Sequence, residues 1–124
     1  MPNSTIQSTL QNPALFQADA WINGQWVPGH GRFAVNNPAN GEVIAQVSNL
    51  GATEAEGAIA AAEAALPAWR GKTAKERSII LRRWFDLITA SSDDLARILT
   101  LEQGKPLAEA KGEVAYGASF LEWF

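Results

Sequence analysis

Carboxylates and aromatic side chains gather near the end of this sequence, at spacings that could serve chemistry. Glu113, Tyr116 and Phe120 follow one another after three and four residues, which places them on one side of a helix. A carboxylate beside two aromatic rings could face a pocket that is completed by sequence outside these 124 residues. Glu109 lies one helical turn before Glu113, and a solvated acidic edge is the alternative interpretation of the same pattern.

The other reactive residue types do not assemble into a catalytic set. His30, the one histidine, stands between two glycines in a predicted loop, with no neighbour that could orient it. The absence of cysteine excludes a cysteine nucleophile and disulfides within the chain, and it leaves zinc without its usual ligands. No G-x-G-x-x-G follows a strand, and Gly104-Lys105-Pro106 lacks the flanking residues of a phosphate loop. We therefore assign no catalytic, cofactor-binding or metal-binding residue within this chain.

Composition favours a folded protein that binds neither nucleic acid nor membranes. Hydrophobic residues make up 47% and charged residues 19% of the chain, which are globular proportions, and the formal net charge is −3. No segment approaches the roughly 18 consecutive apolar residues that a membrane-spanning helix needs. Residues 1–20 contain no Lys or Arg and no continuous apolar run, so we expect a polar, loosely ordered lead-in. The absence of cysteine is compatible with a cytoplasmic location.

The elements that would position the candidate residues change type near the middle of the sequence. Asn23-Gly24, between short apolar segments, predicts a two-residue β-hairpin because both residues tolerate positive φ. The sequence NPANG at residues 37–41 predicts a turn between strands over residues 32–36 and 43–47. The first half of the chain is therefore expected to form strands.

Helical patterns begin after residue 53. We predict helices over about residues 54–66 and 74–90, each opened by a capping box in which a threonine and a glutamate satisfy backbone amides. The two boxes are Thr53–Glu56 and Thr73–Glu76. Arg82 and Asp86 are one turn apart on a face expected to be solvated, and Trp84 is expected in the core.

Two further helices are predicted on either side of a Gly-Lys-Pro break. The third begins near residue 91 or 92, with Ser91 and Asp94 as its cap, and ends at Gly104 in the left-handed conformation. Lys105 favours the negative end of that helix, and Pro106 occupies the first position of the fourth, where its missing N–H costs little.

The fourth helix carries two neighbouring apolar stripes. One consists of Leu107, Ala110, Val114, Gly117, Leu121 and Phe124, and the other of Tyr116, Phe120 and Trp123. A helix that is apolar over so wide an arc is predicted to pack against neighbouring elements on two sides. Trp123 is therefore also predicted to lie in a core. Each large side chain left uncovered forgoes about 1.5–3 kcal/mol. We therefore expect these residues to belong to a longer protein and, alone, to be aggregation-prone or partly molten. The alternative is a small, non-enzymatic helical module that binds a partner through its last helix.

Several segments, in this order, resemble the beginning of an aldehyde dehydrogenase. They are WINGQWV, NNPANGEVIAQV, AAEAALPAWRGKTAKERSIILRRWFDLI and DDLARILTLEQGKPLAEAKGEVAYGASFLEWF. The resemblance extends over residues 21–124 and is most similar to the succinate-semialdehyde dehydrogenase branch. Related enzymes such as glutarate-semialdehyde dehydrogenase begin in a similar way and remain an alternative.

The resemblance implies an α/β fold, with an N-terminal strand region followed by about four helices. Residues 21–124 would form the N-terminal part of an NAD(P)-binding domain that is incomplete without the downstream dinucleotide-binding core. The complete enzyme would be a homo-oligomer, dimer or tetramer, that oxidises a small aldehyde with NAD or NADP. In that family a cysteine thiolate attacks the aldehyde, hydride leaves to the nicotinamide and a glutamate activates water to release the acid. These groups follow the matched stretch, so the chain alone is expected to be inactive and free of cofactor.

The resemblance also implies a role for the last helix. In the family, the helix after Gly-Lys-Pro runs along the substrate entrance tunnel. Glu113, Tyr116 and Phe120 are on that basis candidates to face the tunnel. The alternative is that they pack against helices outside this sequence.

Overall fold

The computed structural model describes residues 6–124. Within that range two short 3₁₀ turns precede four strands and four α-helices, which confirms the predicted α/β class. The strands are β1 (Ala20–Ile22), β2 (Gln25–Val27), β3 (Gly31–Asn36) and β4 (Val43–Asn49). The helices are α1 (Ala52–Arg70), α2 (Ala74–Ala90), α3 (Ser92–Gln103) and α4 (Leu107–Trp123).

Both predicted turns connect antiparallel strand pairs. Asn23 and Gly24 join β1 to β2 with φ values of 49° and 75°, the positive values that a two-residue hairpin turn requires. Between β3 and β4 the amide of Asn37 donates to the carbonyl of Glu42 over 2.9 Å, and Gly41 has a φ of 76°. Both hairpins are therefore confirmed, and the β3–β4 pair extends beyond the predicted strand ends.

Helix α1 departs from its prediction at both ends. It begins at Ala52 because Gly51 is the cap, and the amide of Gly51 donates to the carboxylate of Glu54 over 2.9 Å. The predicted Thr53–Glu56 capping box is therefore wrong. The helix also continues through Pro67 to Arg70, past the predicted end at residue 66. A proline this close to the C-terminus removes one hydrogen bond, and the carbonyl of Pro67 still accepts from the amide of Gly71 over 2.9 Å.

Helix α2 has the predicted bounds and the predicted cap. The amide of Glu76 donates to Thr73 Oγ1 over 3.2 Å, and the amide of Thr73 donates back to the Glu76 carboxylate over 2.7 Å. The backbone N–H of Thr73 lowers the pKa of Glu76, as the N–H of Gly51 lowers the pKa of Glu54. The sequence signal sufficed here because every partner lies within one turn.

The segment before β1 is part of the core. Its residues Ile6, Leu10 and Phe16 are buried in one cluster with Ile44 and Ala45 of β4. The expectation of a loosely ordered lead-in over residues 1–20 is therefore wrong for residues 6–20, and residues 1–5 lie outside the described range. The expectation failed because the apolar residues are spaced irregularly and bury themselves against distant elements.

A buried carboxylate fastens this segment to α3. Asp94 is 5% exposed, and its two oxygens accept hydrogen bonds from the backbone amides of Gln11 and Asn12 over 2.9 and 2.8 Å. Arg97, one turn later, donates to the carbonyl of Thr9 over 3.3 Å. The predicted side-chain cap of α3 by Ser91 and Asp94 is wrong, since Ser91 makes no capping hydrogen bond and Asp94 serves the N-terminal segment.

Gly104 ends α3 as predicted, and two constraints require a glycine there. Its φ is 84°, and its amide donates to the carbonyl of Thr100 over 2.9 Å. A Cβ atom at this position would also lie 2.7 Å from Cγ of Pro38, in the β3–β4 turn. Pro106 is the cap of α4 rather than its first residue, and its carbonyl accepts from the amide of Ala110 over 3.0 Å.

Helix α4 packs against α2 and α3 through small residues. Ala110 and Ala118 are buried, as is Ala96 on α3, so methyl groups line the contact. On the remaining surface of the helices Trp84 is 55% exposed and Trp123 is 83% exposed. The prediction that both tryptophans lie in a core is therefore wrong within the described residues, because no element of residues 6–124 covers them.

We expect Asp94→Asn to destabilise the protein by about 1–3 kcal/mol. Asparagine keeps one acceptor oxygen, but its NH₂ group would face a backbone N–H that in the parent protein donates to the second carboxylate oxygen. Hydrogen exchange at the amides of Gln11 and Asn12 should accelerate. Asp93→Asn is the matched control: it removes an exposed ion pair with Lys111 and should change neither measurement appreciably. Equal effects of the two substitutions would contradict this account of the N-terminal segment.

Gly104→Ala should destabilise the protein by about 2–4 kcal/mol, because alanine disfavours positive φ and its methyl group would collide with Pro38. Urea unfolding measures the change. Gly112→Ala is a control of opposite sign, since Gly112 is inside α4 with no atom within 4 Å of a new Cβ. It should stabilise the helix by about 0.5–1 kcal/mol. A Gly104→Ala protein as stable as the parent would refute the steric argument.

Candidate functional site: the aromatic face of helix α4

Two of the predicted site residues meet on the outer side of α4. The rings of Tyr116 and Phe120 pack edge to face, with centroids 4.9 Å apart and an angle of 78° between their planes. They are 66% and 48% exposed, so the pair forms a surface rather than part of the core. One helical turn separates them, which is why the spacing alone could place them together.

An open hollow lies beside this pair at the C-terminal end of α4. Its volume is about 660 Å³. It is lined by Tyr116, Ser119, Phe120, Glu122, Trp123 and Phe124. The walls are mainly aromatic, and the Ser119 hydroxyl donates back along the helix to the carbonyl of Tyr116 over 2.7 Å. An aliphatic chain could lie against such walls.

Glu113, the third predicted site residue, pairs with a lysine and does not line the hollow. Its carboxylate forms an ion pair with the ammonium group of Lys105, in the connection that precedes α4. Glu113 is not among the residues that line the hollow. The structure therefore brings together Tyr116 and Phe120 but not Glu113, and a tunnel-facing role for all three stays a prediction. The sequence interpretation missed Ser119 and Glu122. Ser119 follows Tyr116 by three residues and could have been found by the same spacing, whereas Glu122 is six residues on, about 240° around the helix, and could not.

Glu122 is joined to α2 through Arg82. Nη1 of Arg82 lies 2.9 Å from Oε1 of Glu122, and its Nε lies 3.3 Å from Oδ1 of Asp86. The guanidinium carbon stands 4.7 Å from the centroid of the Phe85 ring. The predicted solvated face is confirmed, since the side chains of Arg82 and Asp86 are 57% and 60% exposed. The ion pair between them and the link from Arg82 to α4 are contacts that the sequence did not predict.

The helix N-termini of the described chain do not fit a dinucleotide phosphate. A phosphate needs free N–H groups and no competing negative charge. Acidic side chains stand in the first turn of every helix of the described chain: Glu54 in α1, Glu76 in α2, Asp93 and Asp94 in α3, and Glu109 in α4. The hydrogen bond from Lys111 lowers the pKa of Asp93, so that carboxylate stays charged. We therefore place no cofactor contact on these residues.

Residues 6–124 offer neither a metal-binding cluster nor a membrane-spanning helix. Residues 6–124 contain no group of three or more His, Cys, Asp or Glu side chains that could hold a metal ion. None of the helices in this part of the chain is long and apolar enough to cross a membrane. Partial burial raises the pKa of Glu102, near the end of α3.

The sequence and the fold both match known proteins. The profile of the aldehyde dehydrogenase family matches residues 26–124. The chain is 58% identical over 117 residues to glutarate-semialdehyde dehydrogenase of Pseudomonas aeruginosa. It is 56% identical over 117 residues to an enzyme of Escherichia coli K12 that is named NADP(+)-dependent succinate-semialdehyde dehydrogenase. In both comparisons the match covers 93% of this chain and 24% of the relative.

A solved aldehyde dehydrogenase from Brucella melitensis biovar abortus has the same fold, with a TM-score of 0.89 and 50% sequence identity. That match covers 93% of this chain and 24% of the other. The chain thus spans about a quarter of the length of the proteins it matches and corresponds to an N-terminal portion of them. With a family profile that matches most of its length and a fold shared at this identity, the chain belongs to the aldehyde dehydrogenase family.

Proposed function

We propose that this chain is the N-terminal part of an NAD(P)-dependent dehydrogenase that oxidises a semialdehyde, an aldehyde with a carboxylate at its other end. The reaction converts the aldehyde, water and NAD(P)⁺ into a second carboxylate, NAD(P)H and two protons. The observation that carries this proposal is the identity of 58% and 56% to two enzymes that are named for such substrates.

Succinate semialdehyde and glutarate semialdehyde are both candidate substrates. They differ by one methylene group, and a pocket discriminates one methylene by only about 1–3 kcal/mol. The sequence motifs are most similar to the succinate-semialdehyde branch, whereas the identities to the two relatives differ by little. Succinate semialdehyde is our first candidate, and glutarate semialdehyde is the alternative.

Within the complete protein, residues 21–124 would belong to the NAD(P)-binding domain and contribute one wall of the substrate passage. The rings of Tyr116 and Phe120 suit the aliphatic part of a semialdehyde, because they offer an apolar surface beside an open hollow. Glu113, held by Lys105, would stand beside that wall. The chain has no cysteine, so the nucleophile of the family's reaction would come from the rest of the polypeptide. We expect a cytoplasmic homo-oligomer, either a dimer or a tetramer.

The complete purified protein should form NAD(P)H, seen by its absorbance, when it is given succinate or glutarate semialdehyde. Comparing both substrates with NAD⁺ and with NADP⁺ would identify the preferred pair. Butanal, which has the chain length of succinate semialdehyde without the carboxylate, is the matched control and should have a lower kcat/KM. Failure to oxidise any of the three aldehydes would refute the proposed function, and equal kcat/KM for all three would refute the substrate class.

The isolated 124-residue chain should form no NAD(P)H, and it should self-associate and bind an apolar fluorescent dye. The reason is the exposed aromatic face of α4, where Trp123 is 83% and Phe124 is 78% exposed. Trp123→Gln should reduce dye binding, whereas Trp21→Gln, on the β1–β2 hairpin, should reduce it less because the Trp21 ring already packs on Trp26. A monomeric chain with a cooperative melt and no dye binding would instead favour a self-contained helical interaction module.

A further inference from the structure

The sequence contains two Asn-Gly dipeptides, and each lies in the turn of a β-hairpin. Asn23-Gly24 joins β1 to β2, and Asn40-Gly41 lies between β3 and β4. All four residues are exposed. Because glycine has no side chain to shield its backbone nitrogen, that nitrogen can approach the side-chain carbonyl carbon of the preceding asparagine. The two dipeptides therefore share one chemistry and differ only in their structural surroundings.

Hydrogen bonds fasten the Asn40-Gly41 turn. Oδ1 of Asn40 accepts from the amide of Glu42 over 3.0 Å, and its Nδ2 donates to the Glu42 carboxylate over 3.0 Å. The amide of Gly41 donates to the carbonyl of Asn37 over 2.8 Å. The strands on either side form six residue pairs, and β4 contributes buried side chains to the core. Attack by Gly41 on Asn40 would thus have to break three hydrogen bonds in a turn that the core holds closed.

The Asn23-Gly24 turn lacks such restraints. Among the described residues, neither the side-chain amide of Asn23 nor the backbone N–H of Gly24 has a hydrogen-bond partner. The β1–β2 ladder consists of three residue pairs on two strands, and an isolated hairpin of this kind is marginally stable in water. An open groove of about 330 Å³ lies between the turn and the alanine side chains of α1. Water and a moving side chain therefore both have room at this turn.

We propose that Asn23 is a site of spontaneous deamidation, which disrupts the β1–β2 hairpin as the protein ages. The nitrogen of Gly24 loses its proton and attacks Cγ of Asn23. As the new C–N bond forms, the bond from Cγ to Nδ2 breaks, and ammonia leaves with that proton. Water then opens the resulting succinimide ring at either carbonyl and yields aspartate or isoaspartate. One amide and one water thus become one carboxylic acid and one ammonia, with no oxidant or cofactor, and the inference is independent of the proposed function.

The isoaspartate product should change the hairpin more than the aspartate product does. Aspartate keeps the main chain intact and tolerates positive φ, as asparagine does. In isoaspartate the main chain runs through the side-chain methylene, so the loop between β1 and β2 becomes longer. Loop length sets the register that pairs Trp21 with Trp26, so their edge-to-face contact, with centroids 4.7 Å apart, should be lost.

The test incubates the complete protein at neutral and at mildly alkaline pH and follows both asparagines by peptide mapping with mass spectrometry. Asn23 should convert at least about tenfold faster than Asn40, a ratio equivalent to about 1.4 kcal/mol of the hydrogen bonding that Asn40 must give up. Isoaspartate should form together with aspartate at residue 23. The conversion should accelerate as pH rises, because the attacking nitrogen must lose its proton. In urea the two positions should convert at similar rates, since unfolding leaves only the dipeptide that they share.

A pair of variants tests whether opening of the hairpin controls the reaction. Trp26→Ala removes the ring pair and should speed the conversion of Asn23 about two- to tenfold, the rate equivalent of one aromatic pair, without affecting Asn40. Phe33→Ala, the matched control, shortens an exposed aromatic side chain of β3 and should leave the rate at Asn23 unchanged.

Three results for the parent protein would overturn the proposal, whether or not the variants fold. They are an Asn23 that keeps its amide under conditions in which the urea-unfolded chain loses it, equal rates at both positions in the native protein, and a difference that persists in urea. An unchanged rate at Asn23 in folded Trp26→Ala protein would also overturn it, because the reaction would then not depend on the hairpin.

Discussion

The packing of the alanine face of α4 against α2 and α3 determines where the aromatic side chains of α4 lie. Ala110 and Ala118 are buried, and small side chains let helices approach closely. A turn of 100° per residue then places Tyr116, Phe120 and Trp123 on the far side of the helix. The aromatic surface is thus a direct consequence of which face carries the small residues. Its exposure within residues 6–124 follows from the same contact.

That arrangement leaves the chain with more apolar surface than its own elements can cover. Trp84 and Leu87 on α2 are exposed as well, and each large side chain left in water forgoes about 1.5–3 kcal/mol. A few such side chains together equal the net stability of an ordinary domain, about 5–15 kcal/mol. The family relatives are about four times as long as this chain, in keeping with a surface that further polypeptide would cover in part.

Local signals predicted much of this fold, and distant contacts were missed. The sequence predicts the Asn23-Gly24 turn, the Thr73–Glu76 capping box and the Gly104 helix end correctly, because the hydrogen-bond partners in each are neighbours in sequence. Asp94 was not, because its partners Gln11 and Asn12 are more than eighty residues away. The same limit applies to the candidate site: spacing on one helix found Tyr116 and Phe120. It could not find the ion pair between Arg82 and Glu122, which depends on how two helices pack.

The central claim is that, in the complete protein, the aromatic face of α4 forms one wall of the passage through which the substrate enters. Hydroxyl-radical footprinting with mass-spectrometric detection tests this most directly, because it reports the exposure of individual aromatic side chains. The account predicts that Trp123 is oxidised far less in the complete protein than in the isolated chain. It also predicts that Tyr116 and Phe120 gain further protection when succinate, the product of the proposed reaction, is added, while Trp21 does not change. Oxidation of Tyr116 and Phe120 that is the same with and without succinate, at any concentration that inhibits the enzyme, would contradict the claim.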